Sequence, residues 1–239
     1  MAVSKTGAIK LSVELPEQGK GVYLFSVLGT RVTAHPSALI TLFALFGTGL
    51  GLAGLRFRQP TWFDRLRYAL LTLASYYSAD TFHLLGHLFS ARYAGAPVDD
   101  IYVVAPLPQT LYDDNNVEPK IHCLRAIGGP VASGCGFMLA RFLSRFTLAN
   151  SSRHDFLNLA ALANGLTCLG SLYPLPIIDG GTLLKWSLVD GGTSPSEADS
   201  VVQKTNLVLG AAGLIGFLIA GKRLSHWAIN LLKSAISAE

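Results

Sequence analysis

Apolar and polar positions along the chain fall into long blocks separated by short polar or charged turns. Four apolar stretches approach the roughly 20 residues that a bilayer-spanning helix needs, and a fifth is shorter. They run from about Ser37 to Leu55, Tyr68 to Ala94, Leu124 to Leu143, Phe156 to Tyr173 and Leu207 to Ala220. His35-Pro36 leads into the first, where a proline suits a helix start because its missing donor has no intrahelical partner anyway. Ahead of the spans, Ile9, Leu11, Val13 and Leu15 alternate with polar residues. After the break Pro16-Glu17-Gln18-Gly19-Lys20-Gly21, a strand-like composition resumes at Val22 to Val32. The period of two predicts a short β-hairpin at the membrane edge, and a further strand-like run at Ile101 to Val104 is placed to pair with it. A short amphipathic tail, Leu224 to Ile236, closes the chain. The pattern predicts an all-α polytopic membrane protein, a helical bundle of about five spans with a small N-terminal β element. It divides into a membrane-edge segment (1–35), a transmembrane core (36–221) and a tail (222–239). Lys5 and Lys10 are followed by alternation and not by an apolar core, so residues 1–35 are expected to stay on the mature protein.

Composition strengthens this picture. Of 239 residues, 50% are hydrophobic and 14% charged, against roughly 25% charged in soluble domains, and mean hydropathy is +0.41. The 24 glycines and 11 prolines follow no period, and three cysteines cannot pair completely, which excludes collagen and a disulfide-stapled module. Cys123, Cys135 and Cys168 read as free thiols. The net charge of +4 comes from arginines that flank hydrophobic spans, so membrane topology accounts for it and no nucleic-acid partner is expected. Basic residues gather at Arg56, Arg58, Arg65 and Arg67, at Arg141, Arg145 and Arg153, and at Lys222 and Arg223. The loop from Gly95 to Cys123 is acidic, with Asp99, Asp100, Asp113, Asp114 and Glu118. Counted by the positive-inside rule, these loops alternate consistently with five spans and place the N-terminus outside.

Chemistry concentrates in three places. The second stretch is interrupted by Ser75, Ser78, Asp80, His83 and His87, each expensive in hydrocarbon unless it faces protein or water. His83 and His87 lie on one helical face about 6 Å apart along the axis, close enough for two imidazoles to share a metal ion. Hydrogen bonding across a helix interface and ligation of a haem or pigment are the competing readings. The third stretch carries Gly128, Gly129, Ala132, Ser133, Gly134 and Gly136, small residues that let helices approach closely. The fourth runs into Pro174-Leu175-Pro176-Ile177-Ile178-Asp179-Gly180-Gly181, whose prolines break the helix at a depth tolerated only under protein or a water-filled cavity. Asp179 there is either a helix N-cap or a ligand reaching inward. Two helix-borne histidines plus a distant aspartate make three ligands of a tetrahedral site with one position open, the arrangement of catalytic zinc. His122, His154 and His226 fall at span ends or in the tail and read as interfacial.

In order along the chain, His83 to His87 is similar to the His-Glu-x-x-His motif of the site-2 proteases, the intramembrane zinc metalloproteases. Gly129-Pro130-Val131-Ala132-Ser133 resembles their Gly-Pro-x-x-Asn, and Pro174 to Gly181 resembles their Pro-x-Pro-x-x-Asp-Gly-Gly. The approach Leu28 to Ser37 is also similar, so the likeness covers roughly residues 22–185. It implies zinc held by His83, His87 and Asp179, hydrolysis of a peptide bond within the membrane, and a transmembrane helix of another protein as substrate.

Three positions depart from the pattern. Leu84 stands where the family has its general base, and a hydrocarbon side chain can neither take nor return a proton. Ser133 and Ser171 replace two asparagines to which the resemblance assigns substrate binding. The sequence thus reads as a degenerate, catalytically impaired member acting as a subunit or regulator of a membrane complex. The alternatives are an active metalloprotease with Asp80 as surrogate base, and a His-ligated cofactor or pigment subunit. Asp80 lies about 4.5 Å along the axis from His83 but about 10.5 Å from His87, so accepting the free ring N–H of His83 is its easier role. The family places its metal near the cytosolic side, which opposes the charge count, and orientation stays open.

Overall fold

The computed structural model describes residues 21–213. Two strands open the described chain. β1 (Val22–Val27) and β2 (Thr30–Ala34) pair antiparallel around Leu28-Gly29, whose φ angles of 52° and 79° make the two-residue turn favoured between twisted strands. The helix α1 (Ala38–Arg56) follows, then the 32-residue α2 (Trp62–Tyr93). β3 (Asp100–Val103) returns parallel to β2, and β4 (Gln109–Leu111) pairs antiparallel with β3, giving the sheet order β1-β2-β3-β4. α3 (Pro119–Ser144), α4 (Ser152–Ser171) and α5 (Asp179–Asp190) complete the bundle, and a sixth helix, α6, covers residues 195–213.

Local chemistry sets the helix starts. Thr61 and Asp64 form a reciprocal capping box on α2, Pro119 occupies the first turn of α3, and the Ser151 hydroxyl accepts from the His154 amide of α4. Ser37 precedes α1 but does not cap it, because its hydroxyl instead accepts from the Ala105 amide at 3.2 Å.

α2 is the central element, packed against α1, α3 and α4, while α3 also holds α5. The sheet seats on the C-terminal half of α2 through an apolar cluster of Val32, Leu88, Ala91, Val98 and Ile101. At the other end of α2, the α1–α2 and α3–α4 turns meet. There Arg56 Nε lies 2.9 Å from Asp155 Oδ1, and Arg67 Nη1 donates to Ser152 Oγ at 3.3 Å. One end of the bundle is thus basic, and the other carries the acidic sheet.

Several expectations need adjusting. The hairpin forms wholly within the run that starts at Val22; its expected first arm, Ile9 to Leu15, lies outside the described residues, as do His226 and the tail at Leu224 to Ile236. Ile101 to Val104 does pair with the N-terminal strands, and β4 was not foreseen. The polar stretch ahead of Leu207 is helical from residue 195, and the expected fifth span, Leu207 to Ala220, is described only to residue 213. Among the described residues, two helices, α1 and α3, are long and apolar enough to cross a membrane by length and composition. α2 and α4 have the length but carry more polar residues. The apolar outer surface of α1 and α3 points to membrane association.

Candidate metal centre

His83 and His87 stand one turn apart on α2, with ring centroids 4.7 Å apart and planes near perpendicular. Asp179 enters from α5. The backbone before it doubles back so tightly that a Cβ on Gly180 or Gly181 would strike the carbonyls of Leu172 and Leu175, so glycine is required for α5 to start there. Ile178, not Asp179, is the N-cap residue, and the Asp179 carboxylate is directed at the histidines.

The two Nε2 atoms are 3.1 Å apart, His83 Nε2 is 3.2 Å from Asp179 Oδ2, and His87 Nε2 is 3.4 Å from Oδ1. Ligands about 2.0–2.1 Å from a tetrahedral zinc define edges of about 3.3 Å, close to these three separations. His87 Nδ1 lies 2.8 Å from the Arg125 carbonyl, which can only accept, so the ring donates there. In the neutral ring this turns the Nε2 lone pair into the site. His83 Nδ1 is 3.0 Å from Ser133 Oγ, a hydroxyl able to accept from the ring and so to leave the His83 Nε2 lone pair for the site. Convergence of two imidazole lone pairs and a carboxylate is self-repelling unless a proton or cation joins them. The donor set therefore suits a small divalent cation such as zinc, held by His83, His87 and Asp179.

α3 closes the back of the site. A Cβ on Gly129 would overlap the Nε2 atoms of both histidines, and Cβ atoms on Gly86 or Gly128 would each strike the other's backbone. The glycines read from sequence as interior bring α3 against the imidazoles.

The remaining candidates lie elsewhere. Leu84 is partly buried and packs against the cluster of Val32, Leu88, Ala91, Val98 and Ile101, so a hydrocarbon side chain fills the position next to His83. Asp80 does not take the ring N–H of His83, since Ser133 occupies that role, and among the described residues it bonds neither histidine. Ser133 is fully buried against His83, not presented to a substrate, and the Ser171 hydroxyl donates to the Cys168 carbonyl at 3.2 Å. His122 is not interfacial but buried, stacked on Trp186 of α5 with centroids 3.9 Å apart. His154 bonds Thr147 in the α3–α4 turn. Axial ligation of a pigment finds no open ring nitrogen, because both Nε2 atoms face Asp179 and Gly129 backs them. The three cysteines are free.

Arg125 was missed in the sequence. It is 4% exposed, donates from Nε to the Ala96 carbonyl (3.0 Å) and from Nη1 to the Asp114 carbonyl (3.1 Å), and lies 4.1 Å from the Tyr112 ring centroid. It thereby pins both ends of the β3–β4 segment beside the carbonyl that orients His87. A charge at the start of an apolar stretch was the available signal.

No family model and no curated protein matches this sequence. Among solved structures, the chain is similar to the site-2 protease from Methanocaldococcus jannaschii, with 18% identity and a TM-score of 0.56 over 84% of this chain and 86% of that one. Sequence identity at this level speaks for the backbone arrangement alone. Over most of both lengths, this chain has a site-2-protease-like fold.

Proposed function

We propose that this chain is a multi-pass membrane protein of the site-2 protease family that keeps a zinc centre and has lost the proton-transfer step, serving as a subunit or regulator of a membrane complex. One juxtaposition carries the reading: two imidazole Nε2 atoms 3.1 Å apart, each within 3.4 Å of a different carboxylate oxygen of Asp179, next to a leucine packed against an apolar cluster. His83 and His87 would bind zinc through Nε2 and Asp179 through its carboxylate. Bound there, zinc would supply Lewis-acid polarisation of a carbonyl or of water. The chain's own part in hydrolysis would be to move a proton between water and the leaving amine, and among the described residues no carboxylate besides the ligand Asp179 contacts either histidine. Leu84 is hydrocarbon, and Asp80 is on the previous turn. What remains is a partly buried centre that ties α2 to α5 and a wide apolar exterior for transmembrane partners.

The test is metal content by elemental analysis, paired with a cleavage assay on a transmembrane-helix substrate. The wild type is expected to hold about one zinc per chain, to lose it in Asp179→Ala, and to cleave nothing. Cleavage by the wild type that disappears in Asp179→Ala would replace this reading with that of an active protease. Absence of metal from the wild type would reduce the triad to hydrogen bonding. Leu84→Glu is expected to leave cleavage absent, because the new carboxylate enters the apolar cluster.

A further inference from the structure

The chain between α2 and α3 is tied to the metal centre through Arg125. Residues 96–114, which carry β3 and β4, lie against the C-terminal half of α2 through Val98 and Ile101. Their two ends converge on the buried Arg125 side chain. Its Nε donates to the Ala96 carbonyl at 3.0 Å and its Nη1 to the Asp114 carbonyl at 3.1 Å, while the Tyr112 ring centroid lies 4.1 Å from the guanidinium carbon. The main-chain carbonyl of the same residue is 2.8 Å from His87 Nδ1 and 3.4 Å from the Ser90 hydroxyl. We propose that residues 96–114 and the metal centre form one coupled unit joined at Arg125, in which zinc at His83, His87 and Asp179 orders the segment and displacement of the segment loosens zinc.

The first link is the imidazole. Metal on Nε2 leaves the one proton of the neutral His87 ring on Nδ1, where it donates to the Arg125 carbonyl. Without metal either nitrogen can carry that proton, and a bare Nδ1 would face the carbonyl with nothing to donate. Zinc therefore selects the ring state that holds this turn of α3. The turn needs the bond, because Pro130 has no amide for the Ala126 carbonyl and α3 is one hydrogen bond short beside Arg125. The second link is the guanidinium, whose planar fork holds two carbonyls at once. Among the described residues Arg125 has no carboxylate partner, and burying an unpaired cation costs stability that a neutral side chain would save, so space-filling alone does not account for it. The segment also reaches the other flank of the centre, since Tyr112 packs against the same apolar cluster as Leu84, the neighbour of His83. Coupling between two sites is reciprocal, so whatever displaces the segment lowers zinc affinity by the factor by which zinc steadies it.

The inference rests on the zinc centre of the proposed function but not on whether the chain cleaves. The test is amide hydrogen exchange, read by mass spectrometry on peptides from residues 96–114, with the full chain in detergent stripped by a chelator and then reloaded with zinc alone. Zinc is expected to slow exchange of the segment by about fivefold or more, the lower end of usual couplings between sites. Arg125→Gln should abolish that response and weaken zinc binding by about tenfold in chelator competition, and Arg125→Lys, which reaches one carbonyl, should keep part of both. Ser75→Ala, which removes a bond from α2 to the Phe156 carbonyl of α4, should lower thermal stability and leave the response intact. A response that survives in Arg125→Gln, or one that Ser75→Ala also removes, overturns the proposal. The wild-type comparison decides it even where Arg125→Gln does not fold: zinc bound with no change in exchange sinks the coupling and leaves the zinc centre standing. A wild type that binds no zinc sinks both.

Discussion

α1 and α2 lie side by side and use hydrophobicity in opposite ways. α1 buries only Gly49 and Ala53 and turns Leu39, Ile40, Phe43 and Leu55 outward, Phe43 at 66% and Leu55 at 86% exposure. α2 buries Thr72, Ser75 and His87 along with Ala69, Ala79 and Leu88, so its inward face is small and polar. Water would favour the reverse arrangement. In a bilayer the outer face gains nothing from being polar, and helices associate through close packing and internal hydrogen bonds. Chemistry therefore sits on the helix that hydropathy alone ranks below its neighbour.

The strongest way to break the contrast is to add bulk at matched glycines. Gly128 faces Gly86 of α2 with no room for a Cβ, whereas a Cβ on Gly47 of α1 meets nothing within 4 Å. Gly128→Leu is expected to cost about 3 kcal/mol or more of stability and to scatter the metal site. Gly47→Leu should be nearly silent. Thermal unfolding in one detergent compares them, and equal losses would mean that α1 is packed as tightly as α2.

A charge on the outer face sharpens the same contrast from the lipid side. Phe43→Lys removes little internal packing, yet a lysine at mid-helix costs about 2.5–3.5 kcal/mol on insertion scales. The expectation is a fall in membrane insertion of α1 in a reporter assay, with an unaltered fold in the molecules that do insert. Unchanged insertion would show that water and not lipid meets this face.

How much of this was legible in the sequence follows the same divide. α1 was read almost to the residue, because nothing interrupts its apolar run. α2 and α3 begin several residues earlier than expected, at Trp62 and Pro119, because polar first turns held by Thr61-Asp64 and by Pro119 lie outside any hydrophobic window. His83, His87 and Asp179 were grouped from spacing and motif, and their ligand atoms do converge. What spacing could not supply was the cross-helix geometry: that Ser133 and not Asp80 meets His83, and that Arg125 orients His87 through its carbonyl. Those contacts depend on which α3 residues face α2, and the glycines set that only once both helices are in place. α5 was hidden because Asp179-Gly180-Gly181 reads as broken backbone, yet the glycines serve there to let a helix start against two carbonyls.

A smaller effect separates the serine inside the α2–α3 interface from its counterpart outside it. Ser133→Ala removes the only side-chain partner of His83 Nδ1 among the described residues, and loss of such a partner usually weakens metal affinity by about 10–100-fold. Competition with a chelator should show a loss near the lower end, because Gly129 still confines the ring. Ser171→Ala, whose hydroxyl reaches only Cys168, should leave affinity unchanged. Equal effects would return both serines to a common role in substrate binding.

The smallest expected effect concerns how the two helices begin. α1 starts without a side-chain cap, whereas the Asp64 carboxylate accepts from the Thr61 hydroxyl at 2.7 Å and from its amide at 3.1 Å. Asp64 precedes the apolar run at Tyr68 and is partly exposed to solvent. These two hydrogen bonds, with a lesser contribution from Arg67, hold its pKa below the ordinary carboxylate value of 3.8. A depressed folded-state pKa means that the cap contributes fully above the unfolded value and is lost as pH falls through the folded one. Amide protection in the first turn of α2, corrected for intrinsic exchange, should therefore be lower in Asp64→Asn than in the wild type at pH 6. The two should converge below about pH 3, where the wild-type carboxyl is protonated too. Protection at the start of α1 should follow neither the substitution nor pH in this window, since Ser37 spends its hydroxyl on Ala105. A parallel response in both helices would mean that the turns at opposite ends of the bundle open as one unit, and the contrast between α1 and α2 would then lie in their faces alone.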